Sequence, residues 1–241
     1  MSNLSGVASQ FGSKLQDTSA ATQTNLGARG ETADGRVFRY VKNGSGAALI
    51  AGNLVQAPAE ITNHQDLTPT AAAVGATEVT VTLGATAATV GMYTGGYLIV
   101  TADTGAGYQY EIATNAAAIG GATCVITLVD PLIEAIDATS NIDLVACPYN
   151  GVIILAATPT STALGVAVSD IPASHYGWIQ TGGNAVLKND AAGGVTVGNN
   201  VCGSNAVAGA IELSTGTQPT IGIAVTGIAA SENGQVKLIL E

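Results

Sequence analysis

Ser174 and His175 form the most reactive-looking pair in the sequence, because a histidine beside a serine suggests nucleophilic catalysis. Adjacent residues on an extended chain point to opposite faces, so the imidazole cannot take the hydroxyl proton directly. The only other histidine is His64, more than a hundred positions away. We therefore expect no Ser/His/Asp site here, and the sequence as a whole predicts a protein that is not an enzyme.

Several carboxylates lie along a predicted helix. Asp130 precedes a proline, which is typical of a helix N-cap, and this predicts one short helix over residues 131–138. Asp130, Glu134 and Asp137 would then share one face of the helix, with Asp143 a little further along the chain. Calcium prefers such oxygen ligands, but no looped DxDxDG spacing is present. The carboxylates are interpreted as a solvated helix face, and no metal is predicted.

The run Gly105-Ala106-Gly107 resembles part of a dinucleotide-binding loop. It opens a strand and not a helix, so the helix N-terminus that a pyrophosphate requires is missing. We interpret the run as a hairpin turn and predict no cofactor.

Cysteine usage indicates neither a metal site nor a disulfide framework. The three cysteines, Cys124, Cys147 and Cys202, form an odd number and include no CxxC spacing. Buried small hydrophobic side chains explain them, and such usage fits a reducing cytoplasm.

The charged residues are distributed unevenly along the chain. Residues 1–42 contain five basic against three acidic residues, a net charge of +2, whereas the remainder has two against fourteen, a net charge of −12. An acidic body repels nucleic acid. The five N-terminal cations are either a solvated tail with one strand's polar face, or an arm that docks on an acidic partner; they are Lys14, Arg29, Arg36, Arg39 and Lys42.

Tyr176 and Trp178 share one face of a predicted strand, with a glycine between them on the other face. In a chain with only 4% aromatic residues, they can be the largest anchors of the core. The alternative is an exposed patch at a subunit or partner interface, where tyrosine and tryptophan commonly carry binding energy.

No segment has the pattern of a secretory signal or of a membrane-spanning helix. Residues 1–16 lack a basic start followed by an apolar run. The longest apolar runs, such as residues 152–157, are far shorter than the roughly twenty residues needed to cross a bilayer.

Composition and period-two patterns predict an all-β protein, a barrel or sandwich whose core is built from valine, isoleucine, leucine and alanine. Residues 1–33 show no sustained period and are predicted to be an extended N-terminal arm. Residues 34–60 and 150–241 are predicted to form the main β domain. Residues 66–147 would be a small β module inserted into it, and a single long sandwich is the alternative.

An internal repeat is visible in the main domain. LGVAVSDIPASHYGWI at residues 164–179 returns fifty-seven positions later as IGIAVTGIAASENGQV at residues 221–236. Seven identities over sixteen positions indicate a reused strand-turn-strand unit.

The sequence resembles the decoration, or cement, proteins that tailed bacteriophages place on the outside of their capsids. The resemblance rests on FRYVKNGSGAALIAGNLVQ from Phe38, GVAVSDIPASHYGWIQTGG from Gly165 and IGIAV from Ile221. TGGYLIVTADTGAGYQYEI and LVDPLIEAIDATSNIDLV in the middle look like the larger, insertion-bearing virion proteins. The resemblance covers most of residues 36–241.

This resemblance implies a β-rich virion protein, commonly a homotrimer, made in the host cytoplasm and bound to the outer capsid surface. Its partners would be the major capsid protein and itself, with no nucleic acid and no membrane. The candidate capsid or subunit contacts are Lys14, Arg29, Arg36, Arg39, Lys42, Tyr176 and Trp178.

The alternative function is a phage fibre or surface module that recognises a glycan. Exposed Tyr97, Tyr108 and Trp178 would then stack on sugar rings.

Overall fold

The computed structural model describes residues 14–190, 192–216 and 218–241. They are nearly all β, and their helical element is one 3-10 turn at Thr62–His64. The predicted all-β class is therefore confirmed. Among these residues, no helix is long and apolar enough to cross a membrane.

The strands are numbered in chain order. They are β1 (Arg29–Glu31), β2 (Val37–Asn43), β3 (Leu54–Gln56), β4 (Glu78–Thr82), β5 (Tyr97–Ala102), β6 (Gln109–Asn115), β7 (Thr123–Leu128), β8 (Asn141–Val145), β9 (Asn150–Ile154), β10 (Ala163–Ala167), β11 (Tyr176–Lys188), β12 (Asn200–Gly203), β13 (Ile211–Leu213), β14 (Thr220–Ala224) and β15 (Asn233–Ile239).

The chain divides into two compact units. The main unit contains the residues up to Pro58 and those from Pro148 to Glu241, and the inserted unit is Ala59–Cys147. Both crossings fall at a proline, a residue that cannot donate a backbone hydrogen bond to a ladder. The sequence predicts these crossings between residues 60 and 66 and between residues 147 and 150.

The main unit begins with a closed ring of five strands, which we call the first barrel. β2 pairs with β9, β9 with β3, β3 with β10, β10 with β11, and β11 returns to β2. Its interior is filled by Val41, Leu49, Val55, Val152, Ala167, Ile171 and Ile179. These residues alternate with outward-facing ones along each strand, as the pleat requires.

A second barrel follows and shares the long strand β11 with the first. The second half of β11 pairs with β15, β15 with β14, β14 with β12, and β12 with β13. A parallel bridge between Asn189 and Ile211 closes the ring. One thirteen-residue strand therefore ends the first barrel and begins the second.

The two barrels repeat one another in register. Lys42 pairs with Tyr176 and Tyr40 with Trp178 in the first barrel, and Lys188 with Asn233 and Val186 with Gln235 in the second. All seven residues of the first interior have an equivalent in the second core; the equivalents are Leu187, Val195, Val201, Ile211, Ala224, Ile228 and Val236. The repeat seen at 164–179 and 221–236 is therefore the last part of a whole duplicated barrel.

A buried asparagine occupies the same place in each barrel. Asn43 Nδ2 donates to the carbonyls of Ala47 at 2.9 Å and Pro172 at 3.1 Å. Asn189 Nδ2 donates to Gly193 at 2.7 Å and Ala229 at 3.1 Å. The side chain satisfies carbonyls of two loops that the ladders leave unpaired, which is a recurrent task of buried amides.

The duplication shows where the inserted unit enters. In the second barrel, β12 and β13 pair as a hairpin joined by residues 204–210. The equivalent strands β3 and β9 pair in the same register, but residues 57–149 join them. The inserted unit thus replaces one hairpin connection.

The inserted unit is itself a five-stranded sheet in the order β4-β7-β6-β5-β8. The segment around Leu67 and Pro69 spans its two edges, because Leu67 bridges Ile142 of β8 and Pro69 bridges Val81 of β4. The core between these strands is mostly aliphatic and also contains Tyr93 and Tyr110.

The short helix predicted over 131–138 is wrong. The N–H groups of Leu132 and Ile136 do not bond within the segment; they donate to the carbonyls of Ala76 at 2.8 Å and Ala72 at 3.0 Å. Both side chains are buried in the core of the inserted unit. Pairing with residues 72–76 therefore outcompetes the local helix bonds that the N-cap pattern favours.

Candidate binding surfaces

The outer face of the first barrel carries an aromatic cluster. Tyr40 meets Trp178 edge to face with ring centroids 5.2 Å apart, and it stacks on Tyr176 at 6.0 Å. Leu15 and Leu26 pack on this cluster from the segment that precedes β1. Tyr176 and Trp178 do share one strand face, but the segment that precedes β1 covers this face.

The predicted N-terminal arm over residues 1–33 is wrong from Lys14 onward. Ser19 pairs with Tyr176 through two backbone hydrogen bonds of 3.1 and 2.8 Å, and β1 pairs with β2. The hydroxyl of Tyr40 accepts the N–H of Gln23 at 3.1 Å. Apolar side chains at 15 and 26, too widely spaced to give a period, fix this segment on the barrel. Residues 1–13 of the arm lie outside the described residues.

Trp178 is 1% exposed, so it is a core anchor and not an exposed contact. Tyr176 is half-buried. Burial also raises the pKa of the Tyr40 phenol above its ordinary value. The aromatic pair therefore stabilises the fold, and Trp178 is not available as a platform for a sugar ring.

Most of the N-terminal cations bind groups of the same chain. Arg39 makes a two-pronged ion pair with Glu241, with Nε 3.0 Å from Oε2, and its Nη1 donates to Gly27 O at 2.9 Å. Arg29 pairs with Glu31 and Arg36 with Asp34, each at 2.8 Å. Lys42 Nζ lies 5.7 Å from the ring centroid of Tyr176, and Lys14 is exposed. A partner role for these five cations stays a prediction.

The two histidines occupy structural positions. His64 is fully buried; its Nε2–H donates to Thr86 O at 2.9 Å, and its Nδ1 accepts the hydroxyl of Tyr93. His175 Nδ1 lies 3.0 Å from the carbonyl oxygen of Ala173, in the same turn. Both rings therefore serve to fix loops.

The remaining chemical candidates are also held by local contacts. The carboxylate of Asp137 accepts the N–H of Thr139 at 2.8 Å and its hydroxyl at 2.6 Å, which lowers the pKa of Asp137. The three cysteines are buried, and burial raises the pKa of the Cys124 and Cys202 thiols. In the described part of the chain, no group of three or more His, Cys, Asp or Glu side chains is placed to hold a metal.

One end of the inserted unit exposes an apolar surface, which we call the uncharged tip and define as residues 84–91 and 115–122. The two loops lie side by side, because Ala88 and Ala118 exchange two backbone hydrogen bonds of 2.9 Å. Val90 is 74% and Ile119 75% exposed. Neither loop contains a charged residue, although the chain carries a net charge of −10.

The main unit contains an open cleft of about 1040 Å³. It lies beside the second half of β11 and β15, and its lining includes Asp34, Arg36, Asn184, Val186, Gln235 and Lys237. Apart from Val186, these side chains can donate or accept hydrogen bonds, which suits the binding of a polar ligand.

Neither surface was identified from the sequence. The uncharged tip gives no distinctive sequence signal, because the charge-free stretches that contain it, residues 79–102 and 112–129, are matched by others such as residues 144–169. The cleft depends on pairing between strands far apart in sequence and leaves no local pattern. No protein-family model, curated protein or solved structure matches this chain.

Proposed function

We propose that this protein is a structural decoration protein, which binds the outer surface of an assembled phage capsid and stabilises it by bridging capsid subunits. The observation that carries the proposal is the uncharged tip. Val90 and Ile119 present an apolar surface on an otherwise acidic protein. The cores of protein interfaces are likewise depleted of charged residues.

A trimer would strengthen such binding without any new contact. Three tips held together engage neighbouring capsid subunits at a high effective concentration, so modest single contacts combine into tight association. Each bridge between subunits then opposes their separation. In this role the protein is made in the host cytoplasm and acts on the virion, with the major capsid protein and itself as partners.

The glycan-recognition alternative loses its strongest support. It needs Trp178 as a stacking platform, and this side chain is buried. Tyr97 and Tyr108 are 36% and 38% exposed, but Tyr108 already stacks on Tyr110 with ring centroids 6.3 Å apart.

The oligomer is tested by light scattering at several protein concentrations. The proposal expects a stable species near three times the 23.8 kDa of one chain. A persistent monomer would remove the multivalency argument.

The capsid contact is tested by titrating labelled protein onto purified expanded phage capsids. Saturable binding to capsids, and none to free capsid subunits, is expected. Ile119→Asp should weaken binding by about tenfold or more, because it places a charge in the contact. Ile133→Asp is the matched control, since Ile133 is 67% exposed near the opposite end of β6, where Tyr110 lies. No binding across a micromolar range, or equal losses in both variants, contradicts the proposal.

A further inference from the structure

The duplication identifies a face of the second barrel that no described residue covers as the first barrel is covered. Asn184, Val186 and Lys188 of β11 alternate outward, and they pair with Lys237, Gln235 and Asn233 of β15. In the first barrel the same positions carry the aromatic cluster. We call the six residues of the second barrel the open face.

The chain's own segment shows what the equivalent face binds. In the first barrel, residues 15–28 lie over Tyr40 and Trp178, which are 2% and 1% exposed. Val186, the equivalent of Tyr40, is 55% exposed and lines the cleft. Val225, the equivalent of Val168, is 39% exposed in the same cleft. Within the described residues, the second barrel therefore presents, uncovered, the surface that an extended segment covers on the first.

The backbone edge is also open at Val186. Tyr40 N–H donates to Ala28 O at 3.0 Å, and Tyr40 O accepts the N–H of Gly27 at 2.8 Å. On β11 the pairing with β2 ends at Gly182, and beyond Val186 the N–H of Lys188 donates to Gly52 O at 3.1 Å. Within the described residues, the backbone of Val186 is therefore the part of this edge that has no strand partner. Gln180 Nε2 donates to the carbonyls of Gly182 and Asn184, both at 2.9 Å, so these two carbonyls already have a partner and the unpaired part of the edge begins at Val186.

The charge of the open face selects its partner. Only two basic residues follow Lys42 in the sequence, and both, Lys188 and Lys237, are exposed on this face. Lys237 lies opposite Asn184, four residues along β11 from Lys188, a separation of about 13 Å. Two other charged residues line the cleft, Asp34 and Arg36, and they form an ion pair with each other. Two carboxylates four positions apart on one face of an extended strand have the same spacing as the two lysines, so each carboxylate can pair with one lysine.

We propose that the second barrel binds an extended, carboxylate-bearing polypeptide segment by β-strand addition along β11 at Val186. The segment takes the place that residues 27 and 28 take beside Tyr40 on the first barrel, and its carboxylates pair with Lys188 and Lys237. Main-chain hydrogen bonds supply the affinity and the two lysines supply the selectivity, as in other strand-addition complexes. The inference rests on the main unit alone and is independent of capsid binding through the uncharged tip.

The test uses the full chain and a blocked heptapeptide, Thr-Glu-Thr-Val-Thr-Glu-Thr, with glutamine and lysine versions as controls. Binding is followed by amide chemical shifts and by hydrogen exchange. The glutamate peptide is expected to shift the amides of Val186 and Gln235, to leave that of Tyr40 unmoved, and to slow exchange at Val186. It should bind about tenfold more tightly than either control peptide, and added salt should weaken it.

Matched lysine variants separate specific pairing from general charge. The double variant Lys188→Gln with Lys237→Gln should reduce affinity for the glutamate peptide by about tenfold. Lys42→Gln, the equivalent of Lys188 on the covered barrel, should leave it unchanged. The inference is overturned by no shift at Val186 up to about 1 mM peptide, by equal binding of all three peptides, by unchanged exchange at Val186, or by an equal loss in Lys42→Gln.

Discussion

Gly177 lies so close to Ile171 that a Cβ on the glycine would stand 2.7 Å from Cδ1 of the isoleucine. The equivalent pair in the second barrel is closer still, because a Cβ on Gly234 would stand 2.4 Å from Cγ1 of Ile228. In both barrels the isoleucine belongs to the turn that folds back over the barrel end. Its side chain fills the space that is left because the glycine has no side chain. This contact is the steric reason why glycine recurs at the same place in both repeats.

Gly177→Ala should therefore destabilise the main unit by about 1–3 kcal/mol, because the added methyl group overpacks a buried contact. Denaturant unfolding followed by tryptophan fluorescence reports on this unit, since Trp178 is the single tryptophan and lies in the first barrel. Gly227→Ala is the control, because its Cβ would meet no atom within 4 Å. Equal stability of the two variants would show that Ile171 relaxes away at little cost.

Asn43→Asp should destabilise the main unit by about 3 kcal/mol or more at neutral pH. The amide of Asn43 donates to carbonyl oxygens of Ala47, Ile171 and Pro172, whereas a carboxylate would face those oxygens without a proton to donate. The loss should shrink as the pH is lowered, because a protonated carboxyl group can donate one hydrogen bond.

The control for this prediction is Asn200→Asp, at an exposed position on β12. Fluorescence-monitored denaturant unfolding at neutral and acidic pH measures both variants. A deficit for Asn43→Asp that does not change with pH would mean that the loss comes from packing and not from the charge.

The sequence predicted the fold class because alternation is local. Val79, Val81 and Leu83 alternate with threonines and are all buried, and the turn at Gly105 has the positive φ that a glycine adopts readily. The duplicated barrel was recognised only in its last third. The earlier part of the repeat is interrupted in the first barrel by the inserted unit, so its two halves no longer lie at one spacing.

The candidate contacts were predicted less well than the fold. Alternation predicted that Tyr176 and Trp178 share one strand face, but no pattern in residues 14–28 indicated that this segment would cover it. Burial of an outward face depends on a segment from elsewhere in the chain, and a strand's own sequence does not encode that contact. For the same reason the sequence around Val186 gave no signal of an open cleft.

Tyr93→Phe should destabilise the inserted unit by about 1–3 kcal/mol, because it leaves His64 Nδ1 without its hydroxyl donor in a buried position. Burial raises the pKa of Tyr93 well above its ordinary value, so the hydroxyl keeps its proton across the accessible pH range. Faster hydrogen exchange of the β4 and β6 amides measures the effect. Tyr97→Phe, at a 36% exposed position, should leave exchange unchanged.

The ion pair between Arg39 and Glu241 should make the main unit less stable in acid. Hydrogen bonds from Arg39, and after it Thr181, lower the pKa of Glu241 below its ordinary value of 4.5. A lowered folded-state pKa contributes stability that is fully present above the unfolded-state value and is lost as the pH falls through the folded-state value. Because the pair is about one-quarter exposed, the contribution is about 1 kcal/mol.

Glu241→Gln tests this directly, because glutamine keeps the shape of the side chain and removes its charge. Fluorescence-monitored unfolding should find the variant less stable than the wild type at neutral pH, and the difference should close once the pH falls below about 4.5 and Glu241 becomes protonated in the folded state too. Glu232→Gln, at an exposed position of the same unit, should show no such convergence. A constant difference between Glu241→Gln and the wild type at every pH would mean that the charge of Glu241 does not stabilise the fold.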